Sequence, residues 1–144
     1  MLYSLILTDP ECSYDNYSED FFIGVYETKK QAEETGLFYL ENVKGFSQFP
    51  CTYHIVEKEI IDNYDHIMPD YVWMVWGWNC NEYLDEIDIV ESSFFLTEER
   101  AESELQLMKK QYQRTEWVVS RYKIGESGWR DGFARLENGE FVNN

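Results

Sequence analysis

Positive charge is what this sequence has least of. Its 144 residues carry 12 lysines and arginines against 28 aspartates and glutamates, a formal net charge of −16. Between Lys58 and Arg100 there is no base at all, against eleven acids, and residues 1–28 hold six acids and no base. Lysine and arginine supply the attraction to nucleic acid and to anionic membrane surfaces, so neither is expected as a partner. Cysteine is sparse too: Cys12, Cys51 and Cys80 make an odd count with no CxxC. Such a set reads as free thiols in a reducing compartment rather than as a disulfide framework or a zinc knuckle. No apolar run approaches the roughly 18 residues of a membrane span. The N-terminus lacks the basic stretch of a secretory signal, and a cytoplasmic protein is expected.

Catalytic punctuation is also missing. There is no Gly-x-Ser-x-Gly, no glycine-rich phosphate loop and no Asp-x-Asp-x-Asp-Gly calcium loop. The two histidines do not repair this. His54 falls in a strand pattern opposite Val118 of the second half and is expected to be partly buried. His66 sits near Asp62, Asp65 and Asp70, where such residues serve turning more often than metal binding. Carboxylate pairs are plentiful, but among 28 acids they arise by chance. No catalytic residue, metal or cofactor is expected, and the chain is not read as an enzyme.

What is present is a folding chain, 44% hydrophobic and 17% aromatic, with an internal register of 69 residues. Thr28, Ala32, Gly36, Tyr39 and Val43 become Thr97, Ala101, Leu105, Met108 and Tyr112. The same register carries Tyr3 to Leu7 onto Val72 to Trp76. Each half reads as strand, strand, helix, strand. In the first, residues 2–8 and 21–27 are strands and Thr28 caps a helix, with Gln31 completing a capping box. Gly45 ends that helix, and 51–61 is a strand. In the second, strands are expected over 71–78, 89–96 and 116–124, with Thr97 capping the helix between the last two.

The fold class expected is therefore α+β: two tandem β-β-α-β repeats, 1–61 and 71–124, sharing an antiparallel sheet with two helices on one face. Residues 62–70 read as a linker and 125–144 as an appendix. There Glu137-Asn138-Gly139 marks a terminal hairpin. The strand Tyr71 to Trp78 is apolar on both faces, so the appendix (Trp129, Phe133, Phe141) or a second copy in a homodimer should cover the uncovered side. Phe38 and Leu107, register mates outside the core stripes, should meet in a helix–helix contact.

The segment Ile23-Gly24-Val25-Tyr26-Glu27-Thr28 with Ala32, followed by Val43-Lys44-Gly45-Phe46, resembles a family of small uncharacterised bacterial β-β-α-β domains. That family carries an Ile-Gly-Val-Tyr-x-[Ser/Thr]-x-x-x-Ala strand-to-helix motif, here in tandem. The likeness covers about residues 3–60, and the second half departs from it at Ser92-Ser93-Phe94-Phe95. The resemblance implies a fold and no chemistry.

Function is best sought in the acids. Both connections between the first two strands of a half are acidic and interleaved with aromatics. The first holds Asp9, Glu11, Asp15, Tyr17, Glu19 and Asp20; the second holds Trp78, Glu82, Tyr83, Asp85, Glu86 and Asp88. Focused negative potential speeds capture of a basic protein, and aromatic residues supply short-range energy. The reading is a small acidic protein-binding module, such as an inhibitor or immunity-type partner of a basic protein. Two alternatives are a structural or self-associating domain whose acidity only solubilises it, and a small-ligand pocket between the repeats walled by Trp73, Trp76 and Trp78.

Overall fold

The computed structural model describes residues 1–10, 18–82, 84–137 and 140–142. It is α+β, with two helices and mostly antiparallel strands. The chain divides into two compact units, one of residues 2–57 with 125–144 and the other of 58–124 with Met1.

In the first unit, β1 (Leu2–Asp9) pairs antiparallel with β2 (Glu19–Tyr26). β3 (Thr52–Lys58) lies on the other side of β1, giving the order β2-β1-β3. Helix α1 (Lys29–Asn42) opens on the anticipated capping box. Thr28 Oγ1 accepts from Gln31 N at 3.2 Å, and the Gln31 side chain accepts from Thr28 N at 3.3 Å. Its stripe of Ala32, Gly36 and Tyr39 is buried against the sheet.

The C-terminal segment completes this unit's core. Phe133 stacks on Phe21 at 4.6 Å and meets Phe46 edge-on at 4.9 Å, and Trp129 meets Phe21 at 4.8 Å. The expectation that the appendix covers the Tyr71–Trp78 strand is thus corrected for Phe133, whose ring fills the first unit's own aromatic core. Gly24 makes the docking of this segment feasible. Gly125 N and Gly128 N donate to Val25 O and Ile23 O at 2.8 and 2.7 Å. A Cβ on Gly24 would stand 2.5 Å from Glu126 O. Further on, β9 (Arg135–Glu137) pairs with β10 (Glu140–Val142) as the anticipated hairpin, although its Asn138-Gly139 turn lies outside the described residues.

In the second unit, β5 (Tyr71–Cys80) is central. β8 (Glu116–Lys123) runs antiparallel along one edge, and β6 (Glu86–Glu91) and β7 (Phe94–Phe95) share the other. The expected single strand over 89–96 is therefore interrupted. Ser92 makes the break: its Oγ accepts from Val75 N at 2.8 Å in place of a backbone carbonyl and donates to Ser93 O at 2.7 Å. Helix α2 (Glu98–Gln111), capped by Thr97, buries Ala101, Leu105 and Met108 against Val75 and Phe95.

Three expectations fail here. β1–β3 form one sheet and the strands from β4 (Ile60–Ile61) to β8 another, rather than one shared sheet. Each helix closes its own sheet face, so neither core needs a common sheet. The strand expected over 51–61 is likewise split, because β4 (Ile60–Ile61) leaves β3 to pair in parallel with β7. Phe38 and Leu107 remain 57% and 59% exposed rather than buried, since the stripes of their helices are filled without them.

Candidate functional site

The second acidic connection joins β5 to β6 as a hairpin. Asn81 sets it: Asn81 N donates to Asp85 O at 3.1 Å, and Asn81 Oδ1 accepts from Asp85 N at 2.9 Å. Leu84 N donates to Asn81 O at 3.1 Å, and the left-handed φ of Leu84 (66°) completes the turn. Leu84 itself is 82% exposed. Below the tip, β5 advances from Gly77 to Asn79 while β6 runs from Val90 to Ile87, so β6 carries one extra residue. Such a bulge re-aims side chains, and Asp88, with φ 54°, lies in it.

Asn79 locks the bulge to the next strand. Its Oδ1 accepts from Thr115 N at 3.0 Å, and its Nδ2 donates to Asp88 Oδ2 at 3.3 Å. Arg114 Nε donates to the Asp88 carbonyl rather than to its carboxylate. Asp85 is oriented in the same manner, by Asn81 Nδ2 at 3.3 Å. Among the described residues, Glu82, Asp85, Glu86 and Asp88 make no ion pair. Asp85 and Asp88 are thus each positioned by a neutral amide rather than by a base. Trp78 is half-buried in the same hairpin, opposite Glu116 of β8.

The structure thus gathers Trp78, Glu82, Asp85, Glu86 and Asp88 on one hairpin; Tyr83 lies outside the described residues. The first acidic connection fares differently. Asp15 and Tyr17 also lie outside the described residues. Glu19 opens β2 in register with Asp9 and is half-buried. Asp9 is wholly buried in a bidentate pair with Arg135, with Nε–Oδ2 at 2.9 Å and Nη2–Oδ1 at 2.6 Å. The Arg135 guanidinium also lies 3.8 Å over the Phe49 ring. Asp9 is thus a core residue and not part of an acidic surface.

Other expectations sort as simply. His54 is exposed rather than partly buried, as is its register mate Val118, because both point away from the helix-covered face. Trp73 packs into the α2-side core, whereas Trp76 donates its indole N–H to Tyr122 Oη at 2.8 Å. Strand alternation puts these two rings on opposite faces, so the three tryptophans wall no single pocket. Cys51 and Cys80 are free thiols. Burial pushes the Cys51 thiol up to about 11, with the Asp9 carboxylate adding to the shift and Arg135 opposing it. Sequence reasoning missed Asn79, Asn81 and Leu84. The signal available was an Asn-x-Asn spacing with an apolar residue stranded in an acid run.

No family model, curated protein or solved structure matches this chain. Among the described residues no helix is long and apolar enough to cross a membrane.

Proposed function

We propose that this chain is a cytoplasmic binding module without catalytic chemistry, and that it captures a basic protein through the β5–β6 hairpin. The supporting observation is the set of carboxylates at Glu82, Asp85, Glu86 and Asp88. Neighbouring amides order Asp85 and Asp88, no base neutralises any of the four, and Trp78 and Leu84 lie in the same element. Solubility alone asks for charge but not for order. Fixed like charges concentrate potential and accelerate encounter with a cationic surface. A half-buried tryptophan and an exposed leucine then supply contact energy once water is expelled. An inhibitor of a basic toxin would be built this way.

The same reading takes the two units as copies of one β-β-α-β unit. In each, the first strand is central, flanked by the second and third. The helix caps, Thr28 and Thr97, and the buried stripes stand 69 residues apart. The break at Ser92-Ser93 falls one register from the bulge that skips Ile23 in β2.

The test is charge reversal. With Glu82, Asp85 and Glu86 all changed to lysine, a discrete basic protein retained from source lysate at ~50 mM salt should be lost, because screening is weak at that ionic strength. Circular dichroism should be unchanged. Equal retention by the variant would assign the acidity to solubility and favour a self-associating domain instead.

A further inference from the structure

A groove of about 540 Å³ in the first unit lies between α1 and the segment that follows Ile124. Tyr26, Tyr39, Thr35 and Ser127 line its floor, Phe38 stands on one wall and Arg130 on another. The floor is fixed by hydrogen bonds. Tyr26 Oη and Ser127 Oγ share one, and Tyr39 Oη donates to Gly128 O at 2.7 Å. Burial raises the Tyr26 hydroxyl above its ordinary value, and the hydrogen bonds with Ser127 and Thr35 and the Arg130 charge work against that shift.

Arg130 is the one base among the described residues that line this groove. Like six other bases of the chain it makes no ion pair among the described residues, although Glu34 lines the same groove. Its Nε donates to Ser127 O at 3.0 Å, which holds the guanidinium, and neither Nη nitrogen has an acceptor among the described residues. A pinned planar fork matches the two oxygens of a carboxylate.

The surroundings narrow the ligand. A phosphate wants several donors, and two backbone N–H groups of this segment are already spent, Gly125 N on Val25 O and Gly128 N on Ile23 O. A net charge of −16 also disfavours a dianion more than a monoanion. Phe38, 57% exposed and lining the same groove, offers a ring face to an apolar body. We propose that this groove binds a small monoanionic carboxylate carrying an aromatic or branched apolar group, with the Arg130 fork on the carboxylate and Phe38 against the body. The site is independent of the hairpin and of the function proposed above.

The probes are phenylacetate, benzoate and isovalerate, with acetate and inorganic phosphate as controls, followed by NMR of the full chain. At least one probe should shift the Arg130 Nε–H signal and the Phe38 ring, with a Kd near ~1 mM. Arg130→Gln should weaken it about tenfold, as expected for loss of a charge-assisted bidentate contact, and Phe38→Ala should weaken it too. Acetate should bind more weakly. Both side chains are exposed, so neither variant threatens folding. The proposal is overturned if none of the three probes moves these signals, if phosphate moves them as strongly, or if Arg130→Gln binds undiminished.

Discussion

The pair formed by Asp9 and Arg135 shows how far a side chain's role depends on a partner 126 residues away. Asp9 is fully buried and Arg135 nearly so, with side-chain exposures of 0% and 19%. Removing one member leaves the other charged and desolvated, which costs about 3–5 kcal/mol, whereas replacing both by apolar residues is close to neutral. Arg135→Leu should therefore lower the urea midpoint sharply, and Asp9→Leu with Arg135→Leu should recover much of it. Nothing in the sequence marks Asp9 off from the five other acids of residues 1–28, so its burial could not be read there. Cys51 gives a second residue-scale prediction. Its thiol is raised from 9.0 to about 11, so at pH 8 it should alkylate far more slowly than the exposed Cys80, as peptide mass spectrometry would report. The native state then holds a proton that the unfolded chain releases near pH 9. Stability from this group is full below pH 9 and falls as pH rises toward 11. Cys51→Ala should remove that part of the alkaline slope in urea melts.

At the scale of elements, local signals were read well and pairing was read less well. Both helix starts were legible because a cap is a short-range chemical arrangement: Thr28 and Thr97 accept from the backbone N–H three residues on. The two caps are not equal. Thr28 has the reciprocal Gln31 bond, while Arg100 stands at the corresponding place in α2, whose first turn is helped by Glu98 and Glu99 instead. Thr28→Ala should cost about 1–2 kcal/mol and Thr97→Ala about 1, measured as shifts in denaturant midpoint. The break at Ser92-Ser93 was visible only as a departure from the register. That a serine hydroxyl substitutes for a backbone acceptor there is a matter of geometry. The split of 51–61 into β3 and β4 was hidden for a similar reason, since Ile60 and Ile61 continue an apolar pattern while changing sheets. Gly77 shows the same limit. Its counterpart across the ladder is Trp117, whose ring occupies the space a Cβ would need, with Cζ3 2.5 Å from where it would stand.

For the whole molecule, helices and most strands are legible in the pattern of residues, whereas the way each core is closed is not. Periodicity speaks to which face of an element is apolar but not to which element covers it. The first unit recruits its last core aromatic, Phe133, from beyond Ile124, and no local pattern could announce that choice. The candidate site was legible as composition, since the acids between Lys58 and Arg100 stand out in one dimension. The amide hydrogen bonds that hold Asp88 and Asp85 were not, because Asn79 reaches Asp88 only through the bulge and is itself held by Thr115 of the following strand, while Asn81 meets Asp85 across the turn. The central functional claim is that this tip is where a basic partner docks. A photo-crosslinking amino acid placed at Leu84, 82% exposed on the hairpin, tests it inside cells of the source organism. The account predicts one dominant adduct with a basic protein, absent when the same group is placed at Leu107. No adduct from Leu84, or the same adduct from both positions, would contradict it.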